Sequence, residues 1–262
     1  MHQTLIPGLP IQSFGLAIAV GVLVAWKVLE KISGGRDFSN LILLLVASGI
    51  AGARLAHVIE YWSADGFAQD PVSALYVWRG GLVFYGGFIA AAAAFAAWCA
   101  ATRSHPLDVA DLVCVILPLA HAFGRVGCFL NGCCWGKVSS SPLAVTFPAG
   151  SPVWFAHPGP GARSLAVIPA QLVEAAALLA LFAALLALYR RKKAFTAAAY
   201  LAGYGTIRFL VEFLRDDERP SAMGFSSAQI VSAVLVAAGA AFFAWSLKRS
   251  ADGRSASDNG RG

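Results

Sequence analysis

Charge is what this chain has little of. Asp, Glu, Lys and Arg together make up 13% of its 262 residues, whereas 58% are hydrophobic. A soluble domain carries roughly a quarter charged residues, so the shortfall excludes an ordinary soluble domain and places the chain among integral membrane proteins. The net charge of +6 is no argument for nucleic acid, because Lys and Arg gather beside membrane helices on the cytoplasmic side; no nucleic-acid partner is expected. The opening MHQTLIPGLPIQSFG lacks a basic n-region and a small-residue cleavage site, which points to a retained segment rather than a cleaved signal peptide. The sequence shows no convincing internal repeat.

What is present is a series of long apolar runs. A helix crossing the hydrocarbon needs about 20 apolar residues, and seven stretches qualify: roughly Ser13–Leu29, Asn40–Tyr61, Leu82–Ala101, Leu107–Val126, Pro169–Tyr189, Phe195–Phe213 and Ser227–Leu247. The expected fold is therefore all-α, a polytopic membrane protein with about seven transmembrane helices over residues 1–248 and a disordered cytoplasmic tail over 249–262. Alternate loops hold twelve basic residues on one side, RRKK at Arg190–Lys193 among them, against five on the other: Arg79, Lys137, Arg163, Arg215 and Arg219. The positive-inside rule then puts the N-terminus outside and the C-terminus in the cytoplasm. The Pro/Gly/Ser-rich stretch from Lys137 to Ile168, between helices four and five, becomes a long external loop, and loops of this length are commonly functional.

Three arginines remain inside the spans: Arg54, Arg125 and Arg208. On insertion scales each costs at least ~2.5–3.5 kcal/mol at the bilayer centre, so each requires a partner or a polar cavity. Structural pairing with Glu60, Glu174 and Glu212 is one reading. The other is an anion site, because the guanidinium fork holds phosphate bidentately and the anion a membrane supplies is a lipid phosphate. Glycines beside the arginines, Gly124 and Gly127 around Arg125 among them, leave room for close approach. All three arginines fall toward the outer half of the membrane.

The five cysteines divide into two groups. Cys99 and Cys114 lie in apolar runs and read as packed thiols. Cys128, Cys133 and Cys134 are clustered, but their spacing is not that of a zinc knuckle or ribbon, and no metal or other cofactor is expected. A disulfide from Cys128 to Cys133 or Cys134 across a turn at Asn131-Gly132, simple packing, a metal site and a functional thiol are the alternatives, with the disulfide or packing foremost.

The segment GRVGCFLNGCCWG resembles the signature of the prolipoprotein diacylglyceryl transferase family. GARLAHVIEYW, WRGGLVFYGGF, PAQLVE, GYGTIRFLVEFLR and SSAQIVS follow in family order, so the resemblance covers about Ile11 to Lys248. It implies an enzyme of the bacterial inner membrane. That enzyme moves the diacylglyceryl group of phosphatidylglycerol onto the lipobox cysteine of a prolipoprotein signal sequence, releasing glycerol 1-phosphate, in the first step of lipoprotein maturation. By position, Arg125 resembles the phosphatidylglycerol-binding arginine and Arg208 the second essential arginine, with Tyr204 one turn before it. Asn131, Gly132 and Gly136 match the signature turn, Gln171 and Glu174 match the span-five motif, and Arg54 joins the substrate-binding set. The chain departs from the family pattern at Tyr85, where a histidine is usual, and at Cys128 and Cys133, where an asparagine and an acidic residue are usual; Phe14 and Ile168 also differ. The usual base is thus replaced, and His121, one turn before Arg125, is the local substitute beside Tyr85, with His57 next. Two other readings stand beside the enzyme: a paralogue that binds lipid or metal in the same cavity without transfer, and a seven-helix transporter. The transporter is disfavoured because its ligand site would commonly sit near the midplane on broken helices.

Overall fold

The computed structural model describes residues 13–77, 80–191, 195–216, 221–222 and 224–259, with side chains from 246 onward left aside. Most of the opening segment, and Arg79, Lys192, Lys193 and Arg219 of the charge argument, lie outside the described residues. Helices stand at all seven expected positions: α1 (Ser13–Ile32), α2 (Ser39–Glu60), α3 (Phe84–Thr102), α4 (Pro106–Asn131), α6 (Ala170–Arg190), α7 (Thr196–Glu212) and α8 (Ser227–Asn259), with a short α5 (Pro152–Ala156) between α4 and α6. Six of them are long and apolar enough to cross a membrane. The exception is α7, whose 17 residues fall just short of that length. Among the described residues the only strands are the two-residue pair β1 (Ser221–Ala222) and β2 (Phe225–Ser226), so the chain is an all-α, multi-pass membrane protein. The helix that begins at Ser227 extends to Asn259; extending an existing helix avoids the cost of nucleating one.

The chain forms two compact units, residues 29–109 and residues 1–28 with 110–262. In the first, α2 and α3 pack backbone to backbone. A Cβ on Gly52 would lie 2.6 Å from the Gly86 carbonyl, and one on Gly86 would lie 2.5 Å from the Gly52 carbonyl. Small residues at such crossings let apolar helices gain van der Waals contact where no hydrophobic drive exists between them. Arg54 of α2 secures the connection to α3. Its Nε donates to Ala74 O (2.8 Å), its Nη2 to Ser73 O (2.8 Å) and its Nη1 to Gly80 O and Gly81 O (2.9 and 3.2 Å), while the guanidinium lies over the Phe67 ring.

In the second unit α6, α7 and α8 are neighbours in sequence and in space. Asp111 of α4 caps α7: its carboxylate accepts from the backbone N–H of Phe195 (3.2 Å) and Ala197 (2.7 Å) and from the Thr196 hydroxyl (3.1 Å). A carboxylate is favoured there by the helix dipole and by the orphan N–H groups, which explains an acidic residue within an apolar span. The stretch 137–168 is ordered. Isolated bridges link Val138 and Val145 to Val167, and Pro148 to Arg163. Phe147, Val153 and Val167 form a buried cluster with Phe129 and Trp135 packed against it. Ser151 caps α5 by accepting from Trp154 N. This segment therefore carries its own apolar core, anchored to the end of α4.

Candidate active site

The end of α4 sets the site. Gly132 follows Asn131 in the left-handed conformation (φ +71), the usual glycine stop after a helix, and the reversal brings Cys133 N onto Cys128 O at 3.1 Å. Asn131 and Gly132 thus form the turn their sequence predicts. Gly136 packs where no side chain fits: its N–H donates to Ile168 O, and a Cβ would stand 2.6 Å from Leu214 O. It joins the signature segment to the residues just before α6 and just after α7.

About two turns before this stop, Arg125 faces α6. Its Nε lies 3.0 Å from Glu174 Oε1, and the Glu174 side chain has no exposed surface. Arg208 of α7 pairs with Glu212 four residues on, Nη2 to Oε2 at 2.7 Å, and Glu212 Oε1 accepts from the Ser226 hydroxyl at 2.6 Å. Two of the three pairings offered by the structural reading of the arginines are therefore made. Arg54 does not meet Glu60; its fork is occupied instead by the backbone carbonyls of Ser73, Ala74, Gly80 and Gly81. The two ion pairs are close but poorly aligned. Arg125 Nε, Arg208 Nη1, both oxygens of Glu174 and Glu212 Oε2 are buried without a hydrogen-bond partner. Proximity supplies attraction, and Arg208 Nη1, which is not the atom facing Glu212, keeps capacity for a further acceptor.

Tyr204 hydrogen-bonds Arg125, lies within electrostatic reach of Arg208 and Glu174, and rests on the Ala122, Ala175 and Leu178 cluster. Its ring is tilted against His121, with centroids 5.3 Å apart, and stacked on Tyr200. Gln171, one turn before Glu174, donates to Cys133 O at 2.6 Å. The structure thus brings Arg125, Arg208, Tyr204, His121, Gln171 and Glu174 together with the α4 stop. Tyr85 belongs to the 29–109 unit, at the start of α3, 57% exposed and edge-on to Phe84. His57, in the same unit, is held by Asp65 at 2.8 Å.

The glycines that flank Arg125 have different roles. A side chain on Gly124 would meet nothing within 4 Å, whereas one on Gly127 would press on Phe14 and Ala17 of α1. Only Gly124 leaves room beside the arginine; Gly127 is a helix contact. The expected disulfide is not formed, since all five cysteines are free thiols. Cys128, Cys133 and Cys134 instead bring their Sγ atoms within 4.8 Å of one another. Hydrogen bonds from the Cys128 and Cys133 thiols, reinforced by Arg215, hold the Cys134 thiol well below the usual thiol range. Sequence reasoning placed Arg215 among diluted loop charges, yet it is 6% exposed; its place directly after the GYGTIRFLVEFL run was the available signal.

Comparison with known proteins meets this geometry. The family model described as prolipoprotein diacylglyceryl transferase matches residues 3–245. The chain is 32% identical to phosphatidylglycerol–prolipoprotein diacylglyceryl transferase 2 of Clostridium perfringens, over 88% of this chain and 90% of that protein. It is 32% identical to the phosphatidylglycerol–prolipoprotein diacylglyceryl transferase of Vibrio vulnificus strain YJ016, over 90% and 87%, and 34% identical to that of Cereibacter sphaeroides, over 78% and 75%. With its signature turn, its paired arginines and a match running nearly end to end, this chain belongs to the prolipoprotein diacylglyceryl transferase family.

Proposed function

We infer that this chain transfers the diacylglyceryl group of phosphatidylglycerol to the lipobox cysteine thiol of prolipoproteins, in a bacterial inner membrane, with the N-terminus outside and the C-terminus in the cytoplasm. The observation that carries the reading is the pair of arginines, Arg125 and Arg208, largely withdrawn from solvent and each positioned by a single carboxylate, with Arg208 Nη1 buried and without a partner.

The chemistry follows from that arrangement. When a sulfur attacks the glycerol carbon and the carbon–oxygen bond breaks, negative charge grows on the departing phosphate. Donors already aimed at that charge need no reorganisation and lower the barrier directly. Because each arginine already has a carboxylate, the resting site is close to neutral, and attraction is greatest when the phosphate gains charge, which favours the transition state over the bound lipid. Glu174 and Glu212 fix the two guanidiniums, Tyr204 hydrogen-bonds Arg125 within reach of Arg208, and the open side of Gly124 admits the headgroup. Tyr85 stands where the family pattern has its base, and His121 is the local substitute for taking the thiol proton; His121 is packed against Tyr204.

The direct test is lipid transfer from phosphatidylglycerol to a synthetic lipobox peptide by membranes containing this chain, with a Ser-for-Cys peptide as control. Transfer to the cysteine peptide alone is expected; retention of phosphatidylglycerol without transfer would favour the lipid-binding paralogue. For orientation, reporter fusions near Ser151 should read external and fusions after Lys193 cytoplasmic, and the reverse at both positions would overturn it.

A further inference from the structure

Two of the three clustered cysteines, Cys128 and Cys133, stand where the chain departs from the family pattern, and the function above leaves all three unused. Cys128 sits in the last turn of α4, the reversal at Gly132 folds Cys133 back onto it, and Cys134 adopts φ +62, a left-handed conformation uncommon for a residue with a side chain. Two outside groups fix the arrangement: Gln171 donates to Cys133 O, and the buried Arg215 lies against Cys134. The result is three sulfurs within 4.8 Å. Zinc–sulfur bonds of about 2.3 Å in tetrahedral geometry place sulfurs about 3.8 Å apart, so modest side-chain rotation around a cation reaches that spacing. Among the described residues no fourth His, Cys, Asp or Glu joins the group.

We propose that Cys128, Cys133 and Cys134 hold a thiophilic divalent cation, zinc by its chemistry, in a three-thiolate site whose fourth position takes the acceptor thiol of the transfer reaction. Three protein ligands and one open position are the pattern of a catalytic rather than a structural zinc. Three thiolates around a divalent cation leave one negative charge, and Arg215 is placed to offset it. A thiol that coordinates such a cation is deprotonated outright, which supplies the thiolate that the replaced base would otherwise have to generate. The position fits the reaction, because Cys128 is one turn after Arg125 on α4 while Gln171 and Glu174, one turn apart on α6, hold Cys133 and Arg125 respectively. The acceptor S–H loses its proton to solvent on binding. The thiolate pair then forms the carbon–sulfur bond, the carbon–oxygen bond breaks, and the phosphate oxygen leaves with the bonding pair; no oxidant or reductant is involved. The role in transfer rests on the function proposed above, whereas the cation site can be measured without it.

The test uses the full chain purified in detergent without chelator. About one zinc per chain is expected by elemental analysis, lost in Cys133→Ser and Cys134→Ser and retained in Cys114→Ser, with membrane yield and size-exclusion profiles compared throughout. Cobalt(II) in place of zinc should show a thiolate-to-metal charge-transfer band that grows on adding a cysteine lipobox peptide but not its serine counterpart. Transfer should fall about 10²-fold in the two serine variants, the lower range for losing proton abstraction from a nucleophile. Metal-free protein with full transfer, a Cys128–Cys133 or Cys128–Cys134 disulfide in protein from an oxidising compartment, or undiminished transfer in both serine variants would each overturn the proposal. A peptide-dependent cobalt spectrum without any lipid transfer would uphold the cation site and sink the transferase function instead.

Discussion

Two regions of this molecule bury the same side chain and use it in opposite ways. In the 29–109 unit, Arg54 donates four hydrogen bonds to backbone carbonyls and covers an aromatic ring. In the other unit, Arg208 is as deeply buried as Arg54 and Arg125 somewhat less so, and each faces a single carboxylate; Arg208 Nη1 is left buried without a partner, whereas the buried Nε of Arg125 is the atom that faces Glu174. A buried guanidinium whose donors are saturated is a fastener, because nothing remains for a ligand to gain. One whose donors are held in place but not satisfied stores binding capacity, because a buried unpaired donor is costly until an acceptor arrives. Burial and residue type are alike in the two places; the satisfaction of individual donors separates scaffold from site.

Substitution should break the comparison most visibly at Arg125. Arg125→Ala should lower transfer to a lipobox peptide by about 10²–10³, the range for losing one stabilising donor group, and Arg125→Lys should not restore it, since the planar fork is lost. Arg208→Ala should behave alike, and the double variant should fall short of the product if both act on one phosphate. Because Glu174 is fully buried, Arg125→Ala also strands a carboxylate; adding Glu174→Gln should recover stability in a detergent melt without recovering transfer. Near-normal transfer by well-inserted Arg125→Ala protein would end the assignment.

Arg54→Ala should do the reverse. We expect a stability loss of about 2–3 kcal/mol, on the scale of one or two hydrogen bonds to a charged group, with the transfer rate per folded molecule changed less than tenfold. A large loss of turnover at unchanged stability would move Arg54 from scaffold into the site. Tyr85→Phe, in the same unit, should also change turnover less than tenfold, below the ~10²–10⁴ that proton transfer by a positioned side chain contributes. The flanking glycines give the smallest effects. Gly127→Ala should destabilise by about 1 kcal/mol or more through its contact with α1, whereas Gly124→Ala should stay within about 0.5 kcal/mol and raise the KM for phosphatidylglycerol.

The seven helices were legible in the sequence because apolar length is a property of contiguous residues, and the stop of α4 was legible because Asn131-Gly132 is a local turn signal. That Arg125, Arg208 and their glutamates mattered could also be read, since a charge in an apolar span is conspicuous wherever it folds. Less legible was the fate of Arg54, which looked like the other two and met carbonyls 19 to 27 residues away. The order within residues 137–168 was hidden for a similar reason: Pro and Gly mark a break in helix, but the burial of Phe147 against Val153 and Val167 is a matter of three distant positions meeting.

The cysteines divide the two kinds of information most sharply. Their linear spacing excluded a zinc ribbon and favoured a disulfide or packing, because spacing reports only how far apart residues lie along the chain. The helix stop at Gly132, the left-handed Cys134, the reach of Gln171 from α6 and the position of Arg215 after α7 together gather three sulfurs within 4.8 Å. Composition and contiguous pattern were enough to determine a membrane-spanning, all-α chain with arginines that need partners. Which arginines keep spare donors, and which thiols meet, was decided only by the tertiary structure, because hydrogen-bond satisfaction and ligand geometry depend on atoms contributed by separate helices.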